Sequence, residues 1–205
     1  MKAVVINYGV GNIFSIVSSL RKVGFDVAVM NFLDRNWKEY SLVVFPGVGT
    51  FNAVSMYVRR MADVFEEAKE AGVWFLGICL GMQIMFEYGF EGGFHKGLGW
   101  FKGYVDRLVT DLKLPHIGWD RIYTIKNANS SCEIFSGISG RYVYFIHSYV
   151  AYPIDETILC MVSYYGTTFP ALVVKKNIVG TQFHPEKSSK VGLAFLDTLY
   201  RWIKC

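Results

Sequence analysis

Residues 2–8, KAVVINY, form a short apolar run closed by Gly9 and Gly11, after which Ile13, Ile16, Val17, Leu20 and Val23 recur at helical spacing. This predicts a strand, a glycine-rich turn and a helix. FDVAVMNF (25–32), SLVVFPG (41–47) and VWFLGI (73–78) predict three more strands, the last followed by a helix starting near Leu80. Between them, Val54, Tyr57, Val58, Met61, Phe65 and Ala68 mark one amphipathic helix. Continuous apolar strands alternating with such helices belong in a parallel sheet covered on both faces. From about residue 92 the chain alternates more tightly. GLGWFKGYVDRLV, WDRIYTI, RYVYFIHSYV, TILCMVSYYG and ALVVKKNIVGTQF read as strands and hairpins, until a last helix over about 188–203 lines up Val191, Phe195, Leu199 and Trp202. No repeat or linker interrupts this order, so a single domain over 1–205 is expected.

Composition narrows the class. With 52% hydrophobic and 19% charged residues in 205, the chain is expected to bury a full core without help from disulfides. No apolar stretch is long enough for a membrane span, and the amino terminus carries too short an apolar run for a signal peptide, so a cytoplasmic protein is expected. A net charge of +4 with scattered basic residues argues against nucleic acid. Cys79, Cys132, Cys160 and Cys205 form no C-x-x-C pair, and His95, His116, His147 and His184 show no ligand spacing on a helix; neither metal nor cofactor is expected. Cys132, Cys160 and Cys205 are assigned to packing or surface, and His116 to a structural or interface role near the site rim.

Cys79 stands apart, because LGICLGMQ puts it between Gly77 and Gly81 at the predicted strand-to-helix turn. Carboxyl ends of strands are where open α/β sheets bind ligands. A thiol there gains a helix amino terminus, with the Leu80 N–H available to a developing oxyanion, and small neighbours that permit a strained turn and leave room for substrate. Taken alone, an isolated cysteine in an apolar run is more often a small core residue. QFHPEKSS adds His184 and Glu186 at another strand end: a base for the thiol and a carboxylate to orient that base. PGVGT adds Gly47, Val48 and Gly49 beside the cysteine turn, where a backbone N–H of Val48 or its neighbour could serve as a second oxyanion donor.

With G-x-C-x-G at 77–81 and H-P-E at 184–186, the chain resembles the class I, triad-type glutamine amidotransferases. NYGVGN, PGVGTF, LPHIGWD, FIHSYV and HPEKSS extend the resemblance over essentially the whole length, toward the branch that delivers ammonia to a cyclase in amino-acid biosynthesis. The resemblance implies an α/β, flavodoxin-like fold whose central, mostly parallel sheet is flanked by helices, with additional antiparallel strands in the second half. It implies Cys79 as nucleophile, His184 as acid and base, and Glu186 as its orienter. Gly49, Gln83, Glu91, His147, Ser148 and Tyr149 are implied to hold glutamine. The implied partner is a cyclase subunit with a (β/α)₈ barrel, in a heterodimer, met through Asn12, Trp119 and Lys187. Asn7, Phe14 and Asp120 depart from the family's usual aspartate, arginine and asparagine, none of them at a triad position. Two other readings compete: a glutaminase paralogue feeding a different synthase, and a non-catalytic binding subunit that keeps the motifs as scaffold.

Overall fold

The computed structural model describes residues 1–9, 13–33, 35–47, 49–126, 128 and 130–205, apart from the side chain of Arg35. The first four predicted strands form, trimmed at their ends: β1 (Lys2–Ile6), β2 (Asp26–Met30), β3 (Leu42–Phe45) and β4 (Trp74–Ile78). The second half supplies β5 (Phe86–Gly89), β6 (His95–Lys96), β7 (Phe101–Arg107), β8 (His116–Arg121), β9 (Tyr123–Thr124), β10 (Tyr142–His147), β11 (Tyr149–Pro153), β12 (Leu159–Tyr164), β13 (Thr168–Lys175) and β14 (Ile178–Thr181). The main sheet has the order β2-β1-β3-β4-β14-β13-β12-β9. It is parallel from β2 through β14 and antiparallel beyond. A four-stranded sheet, β11-β7-β5-β6, and a two-stranded ribbon of β8 and β10 complete it.

Alternation along the strands divides the core in two. Ala3 and Val5 of β1, with Leu42, Val44, Leu76 and Ile78, pack against Ile16, Val17 and Leu20 of α1 (Phe14–Lys22). A later helix, whose Phe195, Leu196 and Leu199 are buried, covers the same face. Val4 and Ile6, with Val43, Phe45 and Phe75, meet Phe51, Val54 and Val58 of α2 (Phe51–Arg59) and Phe65 and Ala68 of α3 (Ala62–Glu70). Strands buried on both faces must be apolar at every position, which is why these runs do not alternate.

The sequence reading needs three corrections. The single helix expected through Val54 and Ala68 is two, broken at Arg60 and Met61, where Met61 leaves the helical region at φ −114°, ψ 10° and its sulfur accepts from the Leu33 N–H. Both halves pack on one sheet face, so the apolar spacing runs through the break unaltered. The helix after Cys79, α4 (Leu80–Gln83), is one turn; the final helix is α5 (Ser189–Lys204). Cys132 and Cys160, expected to pack singly, form a disulfide with their Cα atoms 5.2 Å apart. It ties a 3₁₀ stretch, Ser130–Ile138, to β12, a neighbourhood that only the tertiary fold creates. Among the described residues, no helix is long and apolar enough to cross a membrane.

Candidate active site

Three adjacent parallel strands, β3, β4 and β14, end on one rim of the sheet, with Phe45 paired to Gly77 and Ile78 to Thr181. The chain leaves β4 through Cys79 at φ 49°, ψ −108°, a left-handed conformation that costs a residue with a side chain and persists only where its surroundings enforce it. Here they do. The Cys79 N–H donates to Thr181 O at 2.6 Å, and the Cys79 carbonyl accepts from Met82 N and Gln83 N at 3.0 and 3.1 Å. The flanking glycines serve close approach of backbone to backbone rather than open space. A Cβ on Gly77 would come within 2.5 Å of Gly81 O, and one on Gly81 would overlap the Phe45 carbonyl. The turn can therefore press against β3 only if both positions lack a side chain.

Beyond β14 the chain bends at Gln182 and Phe183 to reach His184, whose N–H donates to Tyr144 O at 2.9 Å, and then enters a 3₁₀ turn with Pro185 at its start. Ser188 Oγ ties this turn down, donating to His184 O at 2.7 Å and accepting from Tyr144 N at 2.9 Å. His184 Nδ1 lies 2.8 Å from Glu186 Oε1, which places the ring proton on Nδ1 and leaves Nε2 for chemistry. Nε2 is buried and, among the described residues, makes no hydrogen bond of good geometry. Gly47 lies between the two reactive groups, since a Cβ there would be 2.8 Å from Cys79 Cβ and 2.9 Å from His184 Cε1. Burial opposes charging His184, but the Cys79 thiol and then Glu186 outweigh it and push the imidazole from 6.5 up to about 10.

A cavity of about 250 Å³ opens onto this pair, smaller than the roughly 300–1,000 Å³ typical of drug-sized ligands and suited to an amino acid. Gly47, Gly49, Cys79, Leu80, Gln83, Glu91, His147, Ser148 and Tyr149 line it, as the sequence reading expected, while the buried His184 and the partly buried Glu186 are absent from the lining. Leu80, first residue of α4, has an N–H with no intrahelical acceptor. Glu91 Oε2 accepts from the Phe51 N–H at 2.7 Å, so a carboxylate stands at the start of α2 and at the cavity wall. Gln83 lines the cavity, and its amide nitrogen donates to Tyr149 O at 2.8 Å and Gln182 Oε1 at 3.0 Å, which makes it also a brace between chain segments. Val48 and Asn12 lie outside the described residues.

The sequence reading did not single out Pro115 and Ile146, which also line the cavity, nor Gln182, whose Nε2 donates to Cys79 Sγ at 3.3 Å. For Gln182 no local signal existed, because it lies in a bend beyond β14, where strand alternation does not apply.

The ribbon of β8 and β10 forms part of the rim. Its pairs Ile117–Ile146, Trp119–Tyr144 and Arg121–Tyr142 share the outward face, with Trp119 48% exposed. Trp119 packs edge-on to Tyr144 at 5.8 Å, and Lys187 Nζ sits 5.8 Å over the Tyr144 ring, so two of the expected partner contacts meet on one aromatic residue. An exposed apolar stripe with a cationic edge is a feature of protein docking surfaces.

Comparison with known proteins agrees with this geometry. A family model described as "Glutamine amidotransferase class-I" matches residues 4–198. "Imidazole glycerol phosphate synthase subunit HisH" of Saccharolobus solfataricus is 54% identical over 204 residues, covering all of both chains. The protein of the same name from Aquifex aeolicus is 40% identical, covering 98% of this chain and 97% of its own. Among solved structures, "Structure of PurLQS from Thermotoga maritima" superposes with a TM-score of 0.75 at 19% identity, covering 98% of each chain, a likeness of fold. On the family match and the full-length identities together, this chain belongs to the class-I glutamine amidotransferases, in the group of imidazole glycerol phosphate synthase HisH subunits.

Proposed function

We propose that the chain hydrolyses glutamine to glutamate and ammonia through Cys79, His184 and Glu186, and delivers the ammonia to a (β/α)₈ cyclase subunit. That subunit forms imidazole glycerol phosphate and aminoimidazole carboxamide ribotide in histidine biosynthesis. The observation that carries the reading is the joint geometry of strained Cys79 at the cavity floor and His184 beside it, its Nδ1 hydrogen-bonded to Glu186 at 2.8 Å. With the shared proton resting on His184 Nε2, the Cys79 sulfur attacks the side-chain carbonyl carbon of glutamine. The tetrahedral oxyanion faces the Leu80 N–H and a backbone N–H of the PGVG loop. His184 returns the proton to the departing nitrogen, the C–N bond breaks, and a thioester remains. A water, deprotonated by His184, attacks the thioester and frees glutamate. Throughout, Glu186 holds the ring and stabilises its charged form. Glu91 offers a carboxylate for the substrate ammonium.

Ammonium is no nucleophile, so ammonia must be passed on without meeting bulk water. The apolar stripe of Trp119, Tyr144 and Ile117 beside the cavity suits a cyclase pressed against the rim, with Lys187 positioned for a partner carboxylate. The test is glutamate release from glutamine by the purified chain, alone and with a cyclase and its nucleotide ligand. Release that rises by orders of magnitude in the complex supports the reading. So does a Cys79→Ala variant that loses glutamine-dependent turnover while the complex still uses ammonium salts. Retained glutamine-dependent turnover in Cys79→Ala would overturn the nucleophile assignment.

A further inference from the structure

His147 lines the Cys79 cavity, yet its ring is tied to groups leading away from it. His147 Nε2 lies 3.3 Å from His116 Nδ1, and His116 Nε2 lies 2.7 Å from Asp120 Oδ2. Strand pairing sets this up: His116 of β8 stands opposite His147 of β10, and His116 and Asp120 are on the ribbon's inward side because they are an even number of residues apart. The His116 ring stacks on Tyr165 at 4.0 Å and on Phe145 at 5.2 Å, so it does not turn over without unpacking.

An ionised carboxylate only accepts hydrogen bonds. Asp120 therefore holds the proton of neutral His116 on Nε2 and leaves its Nδ1 as an acceptor. His147 must donate its own Nε2–H to that acceptor, and its Nδ1 is left bare. Both rings stay neutral: burial lowers His116, with Asp120 partly opposing, and burial and then His116 lower His147 to about 3 against the pull of the Tyr149 backbone. Among the described residues, His147 Nδ1 is buried with no hydrogen-bond partner. A buried acceptor without a donor is unfavourable, and the cavity that His147 lines is where a ligand would bring one.

We propose that Asp120 and His116 are positioning residues that lock the tautomer of His147, so that His147 Nδ1 accepts an N–H from an amino-acid ligand in the Cys79 cavity. The identity of that ligand as glutamine rests on the function proposed above; the lock itself does not.

The chain has four histidines, so selective ¹⁵N-histidine labelling of the full chain reports each ring nitrogen by NMR. The wild type is expected to carry the His147 proton on Nε2. In Asp120→Ala the ratio of the two neutral tautomers falls roughly tenfold, the size of one lost charge-assisted hydrogen bond. Asp120→Asn keeps the shape but can face His116 with its carbonyl or its NH₂, and gives an intermediate ratio. A merely structural role would change stability and leave the tautomer alone. A wild-type His147 protonated on Nδ1, or a ratio unmoved in both variants, overturns the lock. In the Cys79→Ala chain, added glutamine is expected to shift the Nδ1 resonance toward its hydrogen-bonded position. An Nδ1 signal that stays fixed while the His147 backbone amide responds overturns the acceptor role and leaves the glutamine reading standing.

Discussion

Gly47→Ala tests the geometry of the proposed triad with one methyl group. Gly47 is not in the left-handed region, so alanine brings no backbone strain and the effect is purely steric. The new Cβ would lie 2.8 Å from Cys79 Cβ, 2.8 Å from Ile78 O and 2.9 Å from His184 Cε1. Carbon atoms rest near 3.5 Å or more, so about 0.6 Å of movement is required. Ile78 O and Cys79 Cβ are held by the strained turn and the strand beneath it, so residue 47 must shift away from them and the His184 imidazole must yield with it. Overpacking of this kind costs about 1–3 kcal/mol of stability, which a chain of this size can bear. The kinetic cost is larger, because misplacing a reacting group by about 1 Å can cost on the order of 10²-fold. Glutamate release by the assembled enzyme is therefore expected to fall about 100-fold, while turnover driven by added ammonium persists and the circular dichroism spectrum is unchanged. A loss smaller than about fivefold, under ~1 kcal/mol of barrier, would show that Cys79 and His184 do not act together across this gap.

Other outcomes follow from the same structure. Replacing Cys132 and Cys160 together by alanine opens a loop of 28 residues; chain entropy puts the loss near 3.6 kcal/mol, and about 2–4 °C of Tm per kcal/mol makes it visible by calorimetry. An unchanged Tm would count against that disulfide. His184, raised to about 10 from an unfolded value near 6.5, holds a proton that the unfolded chain lacks between those limits. Its contribution is fully present below about pH 6.5 and is lost as pH rises through about 10, with a slope of up to ~1.4 kcal/mol per pH unit in urea titrations. Cys79→Ala removes the largest influence favouring the charged ring and should move the NMR titration of His184 downward; a midpoint unmoved by the variant contradicts the pairing. Trp119→Ala should weaken association with the cyclase by about 2 kcal/mol in titration calorimetry, as loss of an aromatic anchor does. Unaltered affinity would move the docking surface elsewhere.

Much of the site was legible because its parts are local in the chain. Glu186 meets His184 two residues away, Gly77 and Gly81 bracket Cys79, and each pair shows its logic within a short stretch. The apolar runs of β1, β3 and β4 were likewise readable, since burial on both faces leaves no polar position to obscure them. The break between α2 and α3 was not, because the periodicity that marks a helix depends on which face is buried and passes unaltered from one helix to the next on the same sheet. Gln83 illustrates a subtler limit: its position at the cavity was predictable, but not that Tyr149 and Gln182 would occupy its amide nitrogen.

By itself the sequence determined the alternating α/β order and singled out Cys79 in its glycine-flanked turn and the His184-Pro185-Glu186 stretch as candidate chemistry, all properties of residue type and short spacing. Only the tertiary structure decided that β14, about a hundred residues beyond β4, lies against it and brings His184 to Cys79. It also decided the Cys132–Cys160 bond, the Gln182 contact to sulfur and the chain of Asp120, His116 and His147. These contacts join segments far apart in the chain, and their closure is determined by strand order and by which core faces must be buried together, quantities that no local pattern of residues carries.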